Sequence, residues 1–275
     1  MKKTKIMLWI YNHALLIIAL AVSIYPIYWI LQISIKSYIE AFKYPPSWFF
    51  RPTFENYQRL FVNNEFLHGF GNSFMVSTIS TFFAILIGTP AAYVFSRLRF
   101  RFKSLVLLLV LTSRMIPPIS FIVPYFMVYV RTGLIDTLTG LIIIYTAFSL
   151  GLVVWSMWTF LDEVPMELDE AARVDGASVL QTLWKVIMPV VAPGLASTGI
   201  LCFLMTWNDF IIALVLTRIN AVTSTVVITK FLAYEAADIG LMTAAAIVVS
   251  LPTVFFSVIM RKYLKKGMLS GAVKG

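Results

Sequence analysis

Residues 167–189 read ELDEAARVDGASVLQTLWKVIMP and break the character of an otherwise apolar chain. Glu167, Asp169, Glu170, Arg173 and Asp175 crowd its first half, after which the pattern turns amphipathic and stops at Pro189. Charges at that density cannot cross the hydrocarbon core of a bilayer. The fold is therefore decided by what flanks this stretch and by the side of the membrane on which it emerges.

The flanks are greasy. Of 275 residues, 60% are hydrophobic and 13% charged, with a mean hydropathy of +0.86. That balance belongs to an integral membrane protein. A spanning helix needs about 20 apolar residues, and six runs qualify, near 9–33, 72–95, 104–130, 138–160, 193–217 and 240–260. They are continuous rather than alternating, which predicts an all-α protein and excludes a barrel. The expected organisation is one transmembrane domain over 1–275, with a polar loop at 161–192. Lys2, Lys3 and Lys5 ahead of Ala19-Leu20-Ala21 imitate a secretory leader. The apolar run continues through Tyr25, Trp29 and Ile33, too far for a leader core, so an uncleaved first span is expected.

Orientation follows from Lys and Arg in the connections. With the N-terminus inside, the inner set is Lys2, Lys3, Lys5, Arg97, Arg99, Arg101, Lys103, Arg173, Lys185, Arg261, Lys262, Lys265, Lys266 and Lys274. Lys36, Lys43, Arg51, Arg59, Arg131, Arg218 and Lys230 form an outer set half as large. Both termini and residues 161–192 are thus placed in the cytoplasm. The net charge of +9 follows this topology, which leaves nucleic acid a poor explanation for it. Cys202 is the one cysteine, and His13 and His68 are far apart, so no disulfide framework or metal cluster is expected.

Two connections are predicted outside. The first carries YPPSWFFRPTFENYQRLF from Tyr44, whose prolines forbid a continuous helix and whose Trp48, Phe49 and Phe50 suit an interfacial belt or a partner contact. The second, 218–239, includes TRINAVTSTVVITKF from Thr217, and its β-branched residues predict a short extended or re-entrant piece. Trp155 and Trp158 fit a belt at the inner end of the fourth span, while Pro90, Pro193 and Pro252 mark kinks in or beside others.

Within the third span, SRMIPP from Ser113 removes two backbone donors at Pro117 and Pro118, predicting a break. Arg114 lies one turn earlier. A central Arg costs about 2.5–3.5 kcal/mol, against roughly 0.3–0.6 returned by each of the apolar residues around it. Insertion wins, yet the charge calls for a role. Asn208 and Asp209, in TWNDF from Thr206, lie deep in the fifth span. Arg114, Asn208 and Asp209 are the candidates for a translocation path. Two arrangements stay open: an Arg114–Asp209 pair, or separate groups facing a wet cavity or an interface.

In the cytoplasmic loop, Asp162, Glu163 and Pro165 read as a helix start. Asp175-Gly176 reads as a stop and turn. Leu180, Leu183, Trp184 and Ile187 then recur at helical spacing until Pro189. Small Ala171 and Ala172 permit close approach by another surface, either the protein's own bundle or a partner.

EAARVDGASVLQTLWKVIMP resembles the cytoplasmic loop of permease subunits of binding-protein-dependent ABC importers: Glu-Ala-Ala, three residues, Gly, then about ten residues on an apolar residue, one more and Pro. Glu170, Ala171, Ala172, Gly176, Ile187 and Pro189 occupy those positions, with Met188 where leucine is commoner. PPSWFFRPTFENYQRLF, NSFMVSTIS, AAYVFSRLRFRFKS, MIPPISFIVPYF, GLIDT, TWNDFIIAL and GMLSGAVKG extend the likeness, specifically to the maltose-type carbohydrate-uptake branch. The resemblance implies a six-span type I importer fold whose loop is a coupling helix docked on an ATPase. Glu170, Ala171, Ala172, Asp175 and Gly176 would form the docking surface, with Ile187 and Pro189 completing the pattern. It also implies a tail, 267–275, reaching between two ATPase subunits, and an outer loop near 218–239 facing an external solute-binding protein.

The implied protein is a permease in a bacterial or archaeal cell membrane. It would move a sugar, oligosaccharide or polyol beside a second, similar permease subunit, with lipid around it. The chain contains no G-x-x-x-x-G-K-[ST], so ATP and magnesium are expected on a partner ATPase dimer and no cofactor in this chain. An ion-coupled secondary transporter using Arg114 and Asp209 is the rival, with few other intramembrane charges to support it. A membrane enzyme lacks any nucleophile, base or metal constellation.

Overall fold

The computed structural model describes the backbone of residues 2–233 and 238–271, and the side chains of 11–113, 115–232 and 238–261. In chain order the helices are α1 (Lys2–Ser34), α2 (Tyr38–Ala41), α3 (Glu55–Phe61), α4 (Asn64–Arg97) and α5 (Lys103–Met115). A 3-10 turn (Pro118–Phe121) leads into α6 (Ile122–Thr132), α7 (Leu138–Asp162), α8 (Glu167–Val174) and α9 (Val179–Gln181). A π turn (Thr182–Ile187) precedes α10 (Met188–Val190), α11 (Ala192–Trp207), α12 (Ile211–Leu216), α13 (Ser224–Ala233) and α14 (Ile239–Gly271). The described residues contain no strand.

Among the described residues, four stretches are single helices long and apolar enough to span: Tyr11–Ser34, Asn64–Arg97, Leu138–Asp162 and Ile239–Arg261. Two bent pairs pass the same test of length and composition, which makes six if each counts as one span, the first arm of the second pair lying in the loop stretch 161–192. Lys103–Ser113 and Pro118–Thr132 meet at 91°, and Val179–Val190 and Ala192–Trp207 at 86°. The first bend falls at the prolines that predicted it. Ile116 and Pro117 are extended, with ψ of 122° and 131°, because a residue before proline is driven from the helical region and proline cannot donate.

The fifth span departs from the continuous 193–217 helix expected from hydropathy. It stops at Trp207, and a separate short helix follows at α12. Asn208 and Asp209 explain the stop: Asn208 Nδ2 donates to the Leu204 carbonyl, and Asp209 Oδ1 accepts the Ile212 N–H, both local bonds that compete with the helical ladder. The 218–239 connection also differs from expectation. Its residues Ser224–Ala233 form helix α13 rather than an extended piece, because Val226 and Val227 bury at its start and Ser73 Oγ accepts the Ser224 N–H. Burial and a satisfied helix start override β propensity here.

The chain divides into two compact units, 1–67 with 228–250, and 68–227 with 251–275. In the first, the Asn56 side chain donates to the carbonyls of Ser34 and Lys36, closing the end of α1 onto α3. Buried Lys36 reaches the Ser47 carbonyl at 2.8 Å and lies 4.7 Å from the Phe50 ring, so its charge is solvated by protein. Phe49 and Tyr44 remain almost fully exposed. The second unit is built around α7. One face packs Val153, Met157 and Leu161 with Ala92, Tyr93, Leu183 and Ile187, and the other packs Leu141, Ile144 and Tyr145 with Val76, Ile212 and Leu216.

Candidate functional site

The loop between α7 and α11 begins later than its acids suggested. Asp162 is the last residue of α7, and the loop helix starts at Glu167. Its first turn carries Glu167, Asp169 and Glu170, which complement the positive end of the helix dipole. The ending is as expected. Gly176 has φ of +82°, its N–H bonds to the Arg173 carbonyl, and the Ala177 N–H reaches back to Ala172. These are the paired bonds of a Schellman stop. Ser178 and Gln181 then close a capping box that starts the next helix.

The helix after the cap does not end at Pro189. A π turn widens it over Thr182–Ile187, and Pro189 sits in the first turn of α10, where its missing N–H costs little. The wider turn splits the predicted apolar stripe. Leu183 and Ile187 are fully buried in the protein's own core, while Leu180 is 63% and Trp184 39% exposed.

Residues 167–189 therefore have two faces. Inward lie Asp169, Ala172, Leu183, Ile187 and Met188. Outward lie Glu170, Ala171, Arg173, Val174, Asp175, Gly176, Val179, Leu180 and Pro189, Val174 being 87% exposed. Of the expected docking set, Glu170, Ala171, Asp175, Gly176 and Pro189 are exposed, whereas Ala172 and Ile187 are buried. The inner face holds a group that local sequence reading took for one more surface acid. Asp169 accepts a hydrogen bond from the Tyr93 hydroxyl and pairs with Arg97 Nε at 3.0 Å, both charged side chains being at most 5% exposed.

The membrane candidates are placed separately. The Asp209 carboxylate receives the Tyr145 hydroxyl at 2.8 Å, and Asn208 Oδ1 receives Thr253 Oγ1 at 3.2 Å. The Arg114 side chain lies outside the described residues, so the choice between an Arg114–Asp209 pair and separate groups falls outside them as well. Beside the broken third span is a cavity of about 410 Å³ lined by Ser113, Pro118, Phe121, Tyr125, Phe148 and Met205 among others. Of the tail 267–275, only backbone as far as Gly271 is described, as part of α14.

A third arrangement lies outside the spans. Asp136, at φ of +54° between α6 and α7, accepts the backbone N–H groups of Arg218, Ile219, Asn220 and Ala221 at 2.8–3.2 Å, together with Asn220 Nδ2. Burial pushes this carboxyl up, but the N–H groups of Asn220, Arg218, Ala221 and Ile219 outweigh it and hold it down at about 2. Asn72 takes the carbonyls of Asn220 and Val222. The turn presents Ile219, 77% exposed, at its tip. Neither Asp136 nor the Tyr93 and Arg97 pair carried a local chemical signal. Asp136 stood only inside GLIDT, and Arg97 was one of the inner cations.

The family described as "Binding-protein-dependent transport system inner membrane component" matches residues 82–270, from the middle of α4 through residues 167–189 into α14. The chain belongs to that family. This permease is 37% identical over 255 residues to the trehalose transport system permease protein SugB of Mycobacterium tuberculosis, with 91% of this chain and 92% of the relative covered. It is 33% identical to the sulfoquinovosyl glycerol transport system permease protein SmoH of Agrobacterium fabrum, covering 94% and 91%. A chain from a bacterial ABC transporter that imports the acidic polysaccharide alginate shares the fold, at a TM-score of 0.80 and 23% identity over 94% of this permease and 97% of that chain. The permease fold and the bent third span thus occur together with a loop whose outer face is free of the chain's own core.

Proposed function

We propose that this permease imports a carbohydrate or a glycosylated polyol, delivered by an external solute-binding protein and driven by ATP hydrolysis on separate ATPase subunits. The relatives' printed substrates, trehalose and sulfoquinovosyl glycerol, share that chemistry. The observation carrying the mechanism is the outward face of residues 167–189. Val174, Val179 and Leu180 are exposed beside Glu170, Arg173 and Asp175, on a loop whose other face is locked into the core. A partner burying those three apolar side chains gains roughly 1.5–3 kcal/mol from each. Glu170, Ala171, Asp175, Gly176 and Pro189 form the contact with the ATPase, and Ala172 and Ile187 hold it in place.

ATP and magnesium act on that partner. Nucleotide closes the ATPase dimer, the loop moves with it, and the permease alternates between inward-open and outward-open states. Sugar-loaded binding protein biases the same equilibrium from outside, where the Asp136-held turn at 218–221 offers a preformed contact. Both termini face the cytoplasm, in keeping with the Lys and Arg distribution. A second, similar permease subunit completes the path, for which Arg114, Asn208 and Asp209 are the candidates in this chain, all of it one permease domain.

Reconstitution with ATPase, partner permease and candidate binding proteins tests the reading. One sugar-loaded binding protein is expected to stimulate ATP hydrolysis and ATP-dependent uptake. Uptake driven by an ion gradient without nucleotide would overturn it.

A further inference from the structure

The docking face explains where force enters but not how it reaches the membrane, and the buried face of α8 answers that. Tyr93 and Arg97 are four residues apart at the cytoplasmic end of α4, so they share one side of that helix. Both converge on the carboxylate of Asp169. Around them are Ala92, Val164, Leu183 and Ile187, an apolar bed that resists separation but sets no register. Among the carboxylates of α8, only Asp169 is buried. Arg97 Nε and Asp169 Oδ2 approach to 3.0 Å without hydrogen-bond alignment, so the link to arginine is Coulombic and the Tyr93 hydroxyl supplies the directional contact. The Arg97 guanidinium also lies 6.0 Å from the Tyr93 ring, so the two side chains are neighbours on α4.

We propose that Asp169, Arg97 and Tyr93 are positioning residues that form the joint through which displacement of the docking helix α8 is passed to α4. The proposal rests on the ATPase-docking reading above. α8 is short, and its apolar inner surface alone leaves it free to slide or roll when pushed. A buried carboxylate held by a tyrosine hydroxyl on one oxygen and faced by an arginine on the other, both from one spanning helix, fixes both position and rotation. Any displacement imposed at Val174 or Gly176 must then carry the end of α4 with it.

Two measurements on the full complex test this. In proteoliposomes, ATP hydrolysed per sugar transported is measured for Asp169→Asn, Arg97→Gln, Tyr93→Phe and Arg97→Lys, counting only permease that co-purifies with the ATPase. A purely structural role changes the yield of complex but not this ratio. Loss of the joint raises the ratio about fivefold or more in Asp169→Asn and Arg97→Gln, less in Tyr93→Phe, with substantial recovery in Arg97→Lys. An unchanged ratio in assembled Asp169→Asn complex overturns the proposal. The second measurement leaves the trio intact. Spin labels at exposed Leu98 and Glu167, with buried Cys202 left unlabelled, report the α4–α8 spacing by dipolar broadening. A spacing identical in nucleotide-free and ATP-trapped complex supports the joint, and a nucleotide-dependent change overturns it even if the substituted chains fail to assemble. Failure of the unsubstituted permease to bind an ATPase sinks the docking reading instead, so the two failures are told apart.

Discussion

Two loops on this permease are each organised by a single carboxylate, and they use it in different ways. Asp169 in the 167–189 loop is buried and held by side chains from a distant helix, Tyr93 and Arg97 of α4. Asp136, between α6 and α7, is half-buried and held by backbone N–H groups of residues 218–221. The first arrangement joins one element to another through three specific residue types. The second shapes a turn through its main chain and leaves the side chain of Ile219 exposed at its tip. A loop that transmits force needs the former. A loop that offers a preformed surface to different partners is served by the latter.

The largest effect is expected where the comparison predicts an unpaired buried charge. Asp169→Ala strands Arg97 in the core and should lower stability by about 3–5 kcal/mol, whereas the double change Asp169→Leu with Arg97→Met should recover most of that loss. Thermal unfolding of purified permease in detergent reads both. Equal destabilisation by the single and double changes would mean that Asp169 is held by something other than charge.

At residues 218–221 the expected loss is smaller and local. Asp136→Ala removes the shared acceptor of four N–H groups and should cost about 1–3 kcal/mol, less to the extent that water replaces it. Hydrogen exchange should accelerate at residues 218–221 while the amides of α8 keep their protection. Faster exchange at both loops would erase the distinction drawn between them.

Gly176→Val tests the turn on which the docking face depends. Nothing lies within 4 Å of a Cβ placed there, so the effect comes from the left-handed backbone alone, of order 1–3 kcal/mol. Membrane insertion should survive while ATPase co-purification falls. Undiminished co-purification would show that the Schellman stop is not part of the contact.

The gentlest probe is acid. The Asp136 carboxyl is at about 2 when folded against its ordinary 3.8. A depressed folded value means that its stabilisation is complete above 3.8 and is lost as pH falls toward 2. Protection of residues 218–221 should therefore persist at pH 5 and weaken progressively below about 4. In Asp136→Asn that step should vanish. A loop already opening at pH 5 would contradict the backbone-held carboxylate.

What was legible in the sequence follows the range of the interactions. The apolar runs near 9–33, 72–95, 138–160 and 240–260, the break at Pro117 and Pro118, and the Gly176 turn are local patterns, and each appears in the fold where composition placed it. The break at Asn208 and Asp209 was missed because hydropathy averages over a window, while two side chains diverting neighbouring backbone groups do not alter the average. The helix at α13 was missed because its β-branched residues are helical through burial, a property of the packed state. The π turn split a stripe that even helical spacing had joined, sending Leu180 and Trp184 outward. The joint was least visible of all. Asp169 lies 72 residues from Arg97, and each half, read alone, was an acid in a first turn and a cation on the inner side.

The central claim is that the outward face of residues 167–189 is covered by an ATPase. A photocrosslinking residue at Val174, introduced into the permease in native membranes with its partners present, reads this directly. The account predicts one dominant adduct with the ATPase subunit, changing in yield with nucleotide state. Adducts confined to lipid or to the permease itself would contradict it.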